Sequence, residues 1–214
     1  MFNPLIRRYK GAFSGLPREV WMLSLVVLVN RSGTMVLFFL SIYLTEKLGY
    51  SAHEAGRFIS IYGLGSLSGA FLGGWLSDRI GTKQVQFLSL IFAGAGFIVF
   101  GYMKTAAALT IIIYLVSLSA ESFRPANMTA LAAASPPALR PRTFALNRMA
   151  VNIGIAAGPA VGGFLALYNY HLLFWVDGIT CLLAAGVLWF AIKEPSGGQL
   201  ARHKKSIFSG KSPW

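Results

Sequence analysis

Carboxylates are scarce in this sequence: seven Asp and Glu stand against 19 Lys and Arg, and charged residues of both signs make up only 12% of the 214. Soluble domains carry about a quarter charged residues, so a water-soluble globule is excluded. Cysteine occurs once, at Cys181, which rules out an intrachain disulfide. Its place inside an apolar segment predicts that it only packs. His53, His171 and His203 are the only histidines, and no H-E-x-x-H joins them, so neither a metal site nor a hydrolytic zinc centre is expected. Short alternating runs of about 10 residues, the mark of a membrane barrel, are missing as well, because Leu23 to Val29 is almost continuously apolar. What remains is long apolar sequence: 55% of residues are hydrophobic and mean hydropathy is +0.60.

Six apolar segments can be read, at about 19–45, 56–77, 84–103, 106–134, 143–168 and 171–192. Each is near or above the roughly 20 residues that a helix needs to cross a bilayer core of about 30 Å. The fold class expected is therefore an all-α membrane protein of six transmembrane helices. A short N-terminus (1–18) precedes the bundle (19–193), and a polar, basic, Gly/Ser/Pro-rich tail (194–214) follows it. Arg7, Arg8 and Lys10 resemble the basic start of a signal peptide, but the apolar run after them is too long and ends without a small-residue cleavage site. The first helix is expected to stay in the membrane.

The net charge of +12 suggests nucleic acid until its distribution is considered. Arg7, Arg8, Lys10 and Arg18 precede the first helix, and Arg79 and Lys83 follow the second. Arg140, Arg142 and Arg148 lie around the start of the fifth, and Lys193, Arg202, Lys204, Lys205 and Lys211 follow the sixth. Only Lys47, Arg57 and Lys104 occupy the alternate gaps. That is the positive-inside pattern. It predicts cytoplasmic termini and contact with membrane lipid, not nucleic acid.

Helices two and five share a glycine pattern. Gly65, Gly69, Gly73 and Gly74 recur 89 positions later as Gly154, Gly158, Gly162 and Gly163, and the same offset carries Arg31 to the neighbourhood of Glu121 and Arg124. Two triplets of helices are thus related, and an odd number of crossings makes the second enter the membrane inverted. A 3+3 inverted repeat is a transporter architecture. Glycines four apart make a smooth helix face, and helices two and five are expected to touch through these faces. Pro159, lacking a backbone donor, is expected to bend the fifth helix.

The end of helix two reads Gly74-Trp75-Leu76-Ser77-Asp78-Arg79-Ile80-Gly81-Thr82-Lys83. It resembles the major facilitator superfamily signature G-x-x-x-D-R-x-G-x-K/R, although Thr82, Gln84 and Gln86 stand where the family usually adds basic residues. Helix five, Gly154 through Gly158-Pro159 to Gly162-Gly163, is similar to the g-x-x-x-G-P-x-x-G-G element of the drug:proton antiporter branch. The resemblance implies that this chain is the N-terminal six-helix half of a 12-helix fold. It further implies that Asp78 finds its partner in a second half, and that the helix-five element serves export.

Arg31 falls about 17 Å into its helix, where an arginine costs about 2.5–3.5 kcal/mol, so it is expected to face a cavity or a partner beside Asn30. Glu121 and Arg124 share one face of helix four. They either neutralise each other or line a central cavity with Asn127, where Glu121 exchanges a proton. Pro125 is expected to disturb that helix. Asp177, shallower in helix six, is a further cavity candidate that either pairs with Arg57 or reaches the interface.

The function expected is secondary active transport, as proton-coupled export of small molecules or drugs by alternating access. The alternatives are a peptide or solute:proton symporter of the same fold and a non-transporting membrane fragment. The expected partners are a small-molecule substrate, protons, and either a C-terminal six-helix half or a second copy. No cofactor is expected and no enzymatic activity. The expected location is the plasma (inner) membrane.

Overall fold

The computed structural model describes residues 13–192. The far N-terminal and tail lysines and arginines invoked above lie outside them. The described residues form helices and connecting turns without strands. The first crossing is made in two pieces, α1 (Arg18–Ser32) and α2 (Val36–Ile42), continued by a π-helical turn over Tyr43–Lys47. Five single helices follow: α3 (Ala52–Ile80), α4 (Thr82–Phe100), α5 (Ala106–Ala134), α6 (Arg140–Tyr168) and α7 (Tyr170–Ala191). With the first crossing counted once, six helical spans are long and apolar enough to cross a membrane.

Local chemistry sets the ends. Ser51 and Glu54 form a capping box at α3: the Ser51 Oγ accepts from the Glu54 N–H at 3.3 Å, and Glu54 Oε2 accepts from the Ser51 N–H at 2.9 Å. Each carries an orphan donor of the first turn, and this starts the helix four residues before the apolar run. Asn169 Oδ1 accepts from the His171 N–H at 2.9 Å, which lets α7 begin directly after α6. At the other end of the bundle α3 runs to Ile80, so Asp78 and Arg79 lie in its last turn. The chain reverses at Gly81, whose φ of 95° is open to glycine and strained for other residues. Arg79 stacks 3.9 Å over Trp75 and the Lys83 ammonium sits 4.9 Å over Trp189. Aromatic rings and cations at one level mark a membrane interface.

The break in the first crossing was not foreseen. At Gly33 the backbone leaves the helix, and it passes so close to α7 that a Cβ there would collide with the Thr180 side chain. The amides freed by the break are taken by Asp177, whose carboxylate accepts from Met35 N at 3.0 Å and from Val36 N at 2.8 Å. Pro125 and Pro159, by contrast, sit inside helices that run unbroken through them.

The expected contact between helices two and five is corrected by the packing. Gly65, Gly69 and Gly73 of α3 lie against Ser117, Leu118 and Ser122 of α5. Gly154, Gly158 and Gly162 of α6 lie against Arg31, Thr34 and Met35 of the first crossing. The smooth faces therefore bind across the repeat: helix two takes four, and helix five takes one. Exchanging the two triplets maps each pairing on the other, as the inverted repeat requires. Ser122 adds a cross-link, its hydroxyl donating to the Gly69 carbonyl at 2.9 Å.

Candidate functional site

These pairings bring the central charges together. Gly154 holds α6 close enough to α1 that a Cβ on it would stand 2.7 Å from the Arg31 Cβ. Both Arg31 and Glu121 lie 13 residues from helix ends on the same side of the bundle, Arg18 and Ala134. At 1.5 Å per residue both are about 20 Å deep. There the Arg31 Nη1 stands 3.8 Å from Glu121 Oε1, with each side chain 19% exposed. The distance is too long for a hydrogen bond, so the contact is Coulombic. At an effective dielectric of 20 it is worth about 4 kcal/mol gross, which offsets part of the insertion cost of the two charges, about 2.5–3.5 kcal/mol for the arginine alone.

The local Glu121–Arg124 neutralisation weighed from the sequence is not formed: Glu121 is spent on Arg31. Arg124 lies exposed on the cavity wall and makes no ion pair among the described residues. A cavity of about 580 Å³ opens beside the pair between α1, α5 and α6. Arg31, Glu121, Arg124 and Asn127 all line it. Asn127 is buried and its Nδ2 donates to Asn147 Oδ1 at 3.2 Å. Val27, Phe123 and Phe144 supply apolar wall.

Two expected members are absent from this cavity. Asp177 is 1% exposed and is consumed as the cap of α2, so it neither pairs with Arg57 nor reaches the interface. Asn30 turns the other way and donates to Cys181 Sγ at 3.3 Å. Both border a crevice of about 20 Å³ beneath the ion pair, roughly the room of one water. Conversely, Asn147, Arg148 and Asn152 line the cavity, although the sequence analysis reads Arg148 only as one of the cations around the start of helix five. α6 begins at Arg140 and not at 143, so Arg148 lies two turns inside the helix. The signal was the polar set Asn147, Arg148 and Asn152 in an otherwise apolar stretch.

Of the motif residues, Gly81 makes the turn between α3 and α4. Asp78 is exposed in the last turn of α3, and Gly74 on the same helix meets open space. A Cβ on Gly163 would meet only the far end of the Phe39 ring.

The profile of the Major Facilitator Superfamily matches residues 22–214. The chain is 27% identical over 188 residues to a Na(+), Li(+), K(+)/H(+) antiporter of Planococcus maritimus, covering 85% of this chain and 44% of the antiporter. It is 25% identical over 176 residues to the quinolone resistance protein NorA of Staphylococcus aureus, covering 82% of this chain and 43% of that protein. The crystal structure of the peptide transporter POT in complex with sulfate superposes with a TM-score of 0.76 at 24% identity, over 92% of this chain and 45% of that one. That last likeness is one of fold. The chain spans about half the length of the curated relatives it matches. With six apolar crossings, an inverted pairing of helix triplets and a family profile that runs through nearly all of them, the chain belongs to the major facilitator superfamily.

Proposed function

We propose that this protein acts in secondary active transport at the plasma membrane, as the N-terminal half of a proton-coupled exporter of small molecules. Its second half is a further six-helix unit or a second copy, and rocking of the halves alternates access to the cavity. Both termini are cytoplasmic in this reading, which puts Arg79, Lys83, Arg140 and Arg142 on the side favoured by basic residues.

The observation that carries the reading is the Arg31–Glu121 pair, held at mid-depth and open to a cavity. Glu121 has two ways to lose its isolated charge: contact with Arg31, or a proton. A substrate group that brings a donor or positive charge to Glu121 competes with the proton there, and that exclusion is what antiport requires. Export is supported by the helix-five element and by relatives named as an antiporter and as a resistance protein.

The test is transport in proteoliposomes with and without a pH gradient. Glu121→Gln keeps the shape and removes the charge change. It is expected to abolish gradient-driven accumulation while substrate exchange remains measurable. Accumulation against a gradient by Glu121→Gln would put the proton site elsewhere.

A further inference from the structure

The charge of the cavity changes character toward the Ser135 turn. Arg124 lies 10 residues before the end of α5 and Arg148 lies 8 residues after the start of α6. At 1.5 Å per residue they stand about 15 and 12 Å in from the same side, shallower than the Arg31–Glu121 pair. Both are exposed on the cavity wall. The one carboxylate that lines this cavity, Glu121, is engaged by Arg31, and the described residues hold no ion pair to Arg124 or Arg148. Two guanidinium groups on different helices thus line one cavity without an ion-pair partner among the described residues, in a cleft whose low-dielectric walls focus their field.

The floor of the same region is built as a polar site. Asn127 is 2% exposed and donates to Asn147, yet its own Oδ1 has no hydrogen-bond partner. Buried amide oxygens are rarely left so. That oxygen is closed off from the cavity surface, so the polar groups presented to a ligand are the two unpaired arginines, which fit a molecule that carries an anionic group. Phe123 and Phe144 line the same cavity, and its volume of about 580 Å³ is in the range that holds a small organic molecule.

We infer that Arg124 and Arg148, from α5 and α6, form an anchor for an anionic group of the transported molecule: a carboxylate, sulfonate or phosphate on an organic frame. The inference deepens the transport reading and rests on it, but it uses residues outside the proton-carrying pair. The anionic end docks at the shallow arginines, and the rest of the molecule extends toward Glu121.

The test compares two probes that share a xanthene frame, anionic fluorescein and cationic rhodamine 123. Binding to the purified full-length protein in neutral detergent is read by fluorescence anisotropy. Fluorescein is expected to bind at least about tenfold more tightly than rhodamine 123, with affinity falling as salt rises. Arg124→Gln and Arg148→Gln are each expected to weaken fluorescein about tenfold, as loss of one charge-assisted hydrogen bond does. Arg148→Lys should retain most of the affinity. No fluorescein binding, a preference for rhodamine 123, or unchanged fluorescein affinity in the doubly substituted protein overturns the anchor. If the double variant does not fold, the salt dependence and the Arg148→Lys against Arg148→Gln contrast decide alone. Binding needs no gradient. Lost gradient-driven transport with the charge preference intact therefore counts against the transport reading only, and the reverse counts against the anchor only.

Discussion

Replacing Asp177 with alanine removes both acceptors from the break in the first crossing. The Val36 amide, now held at 2.8 Å by the carboxylate, is then buried without a partner, while the Met35 amide keeps its 2.8 Å contact to the Gly33 carbonyl. One orphaned donor costs about 1–3 kcal/mol, so the variant is expected to lose about that much. A chain of this size shifts by about 2–4 °C per kcal/mol, which predicts a fall of roughly 2–12 °C in the thermal transition measured in detergent. Asp177→Asn keeps one amide oxygen as an acceptor and should fall about half as far. The control is Glu46→Ala: that residue is exposed and its loss should stay within about 0.5 kcal/mol. If Asp177→Ala melts within about 1 °C of the parent, the carboxylate is not holding the break. The reasoning that removes Asp177 from the cavity and assigns it to α2 would then be wrong.

Other outcomes follow from the same geometry. Gly69→Leu and Gly154→Leu drive side chains into the Leu118 backbone and the Arg31 Cβ, and each should cost about 1–3 kcal/mol or more. Gly74→Ala meets open space within the chain and should leave the melting temperature unchanged. Gly81→Ala forces an L-residue to φ 95° and should cost about 1–3 kcal/mol; an unchanged melting temperature would show that the turn relaxes. In intact cells, a membrane-impermeant thiol reagent should label Lys104→Cys and spare Arg142→Cys and Arg202→Cys. Labelling of the latter pair from outside would invert the proposed orientation.

Much of this protein was legible because lipid reads composition directly. A crossing needs about 20 apolar residues whatever it packs against, so the six spans and the fold class follow from the sequence. The Gly74–Lys83 run and the Gly154–Gly163 run identified the superfamily for the same reason: their spacing is local. The recurrence at 89 positions likewise announced the inverted repeat without any coordinates.

What the sequence could not decide was who meets whom. A row of glycines four apart specifies a smooth face but no partner, and only packing assigned helix two to four and five to one. An intramembrane charge announces the need for a partner and does not name it. Glu121 chose Arg31, 90 residues away, over Arg124 one turn along its own helix. Asp177 went to two backbone amides, because the break at Gly33 created donors that no local pattern displays. Polar groups in a membrane must be satisfied, and the cost of leaving one bare is the same whichever partner satisfies it; the choice among partners belongs to the tertiary arrangement.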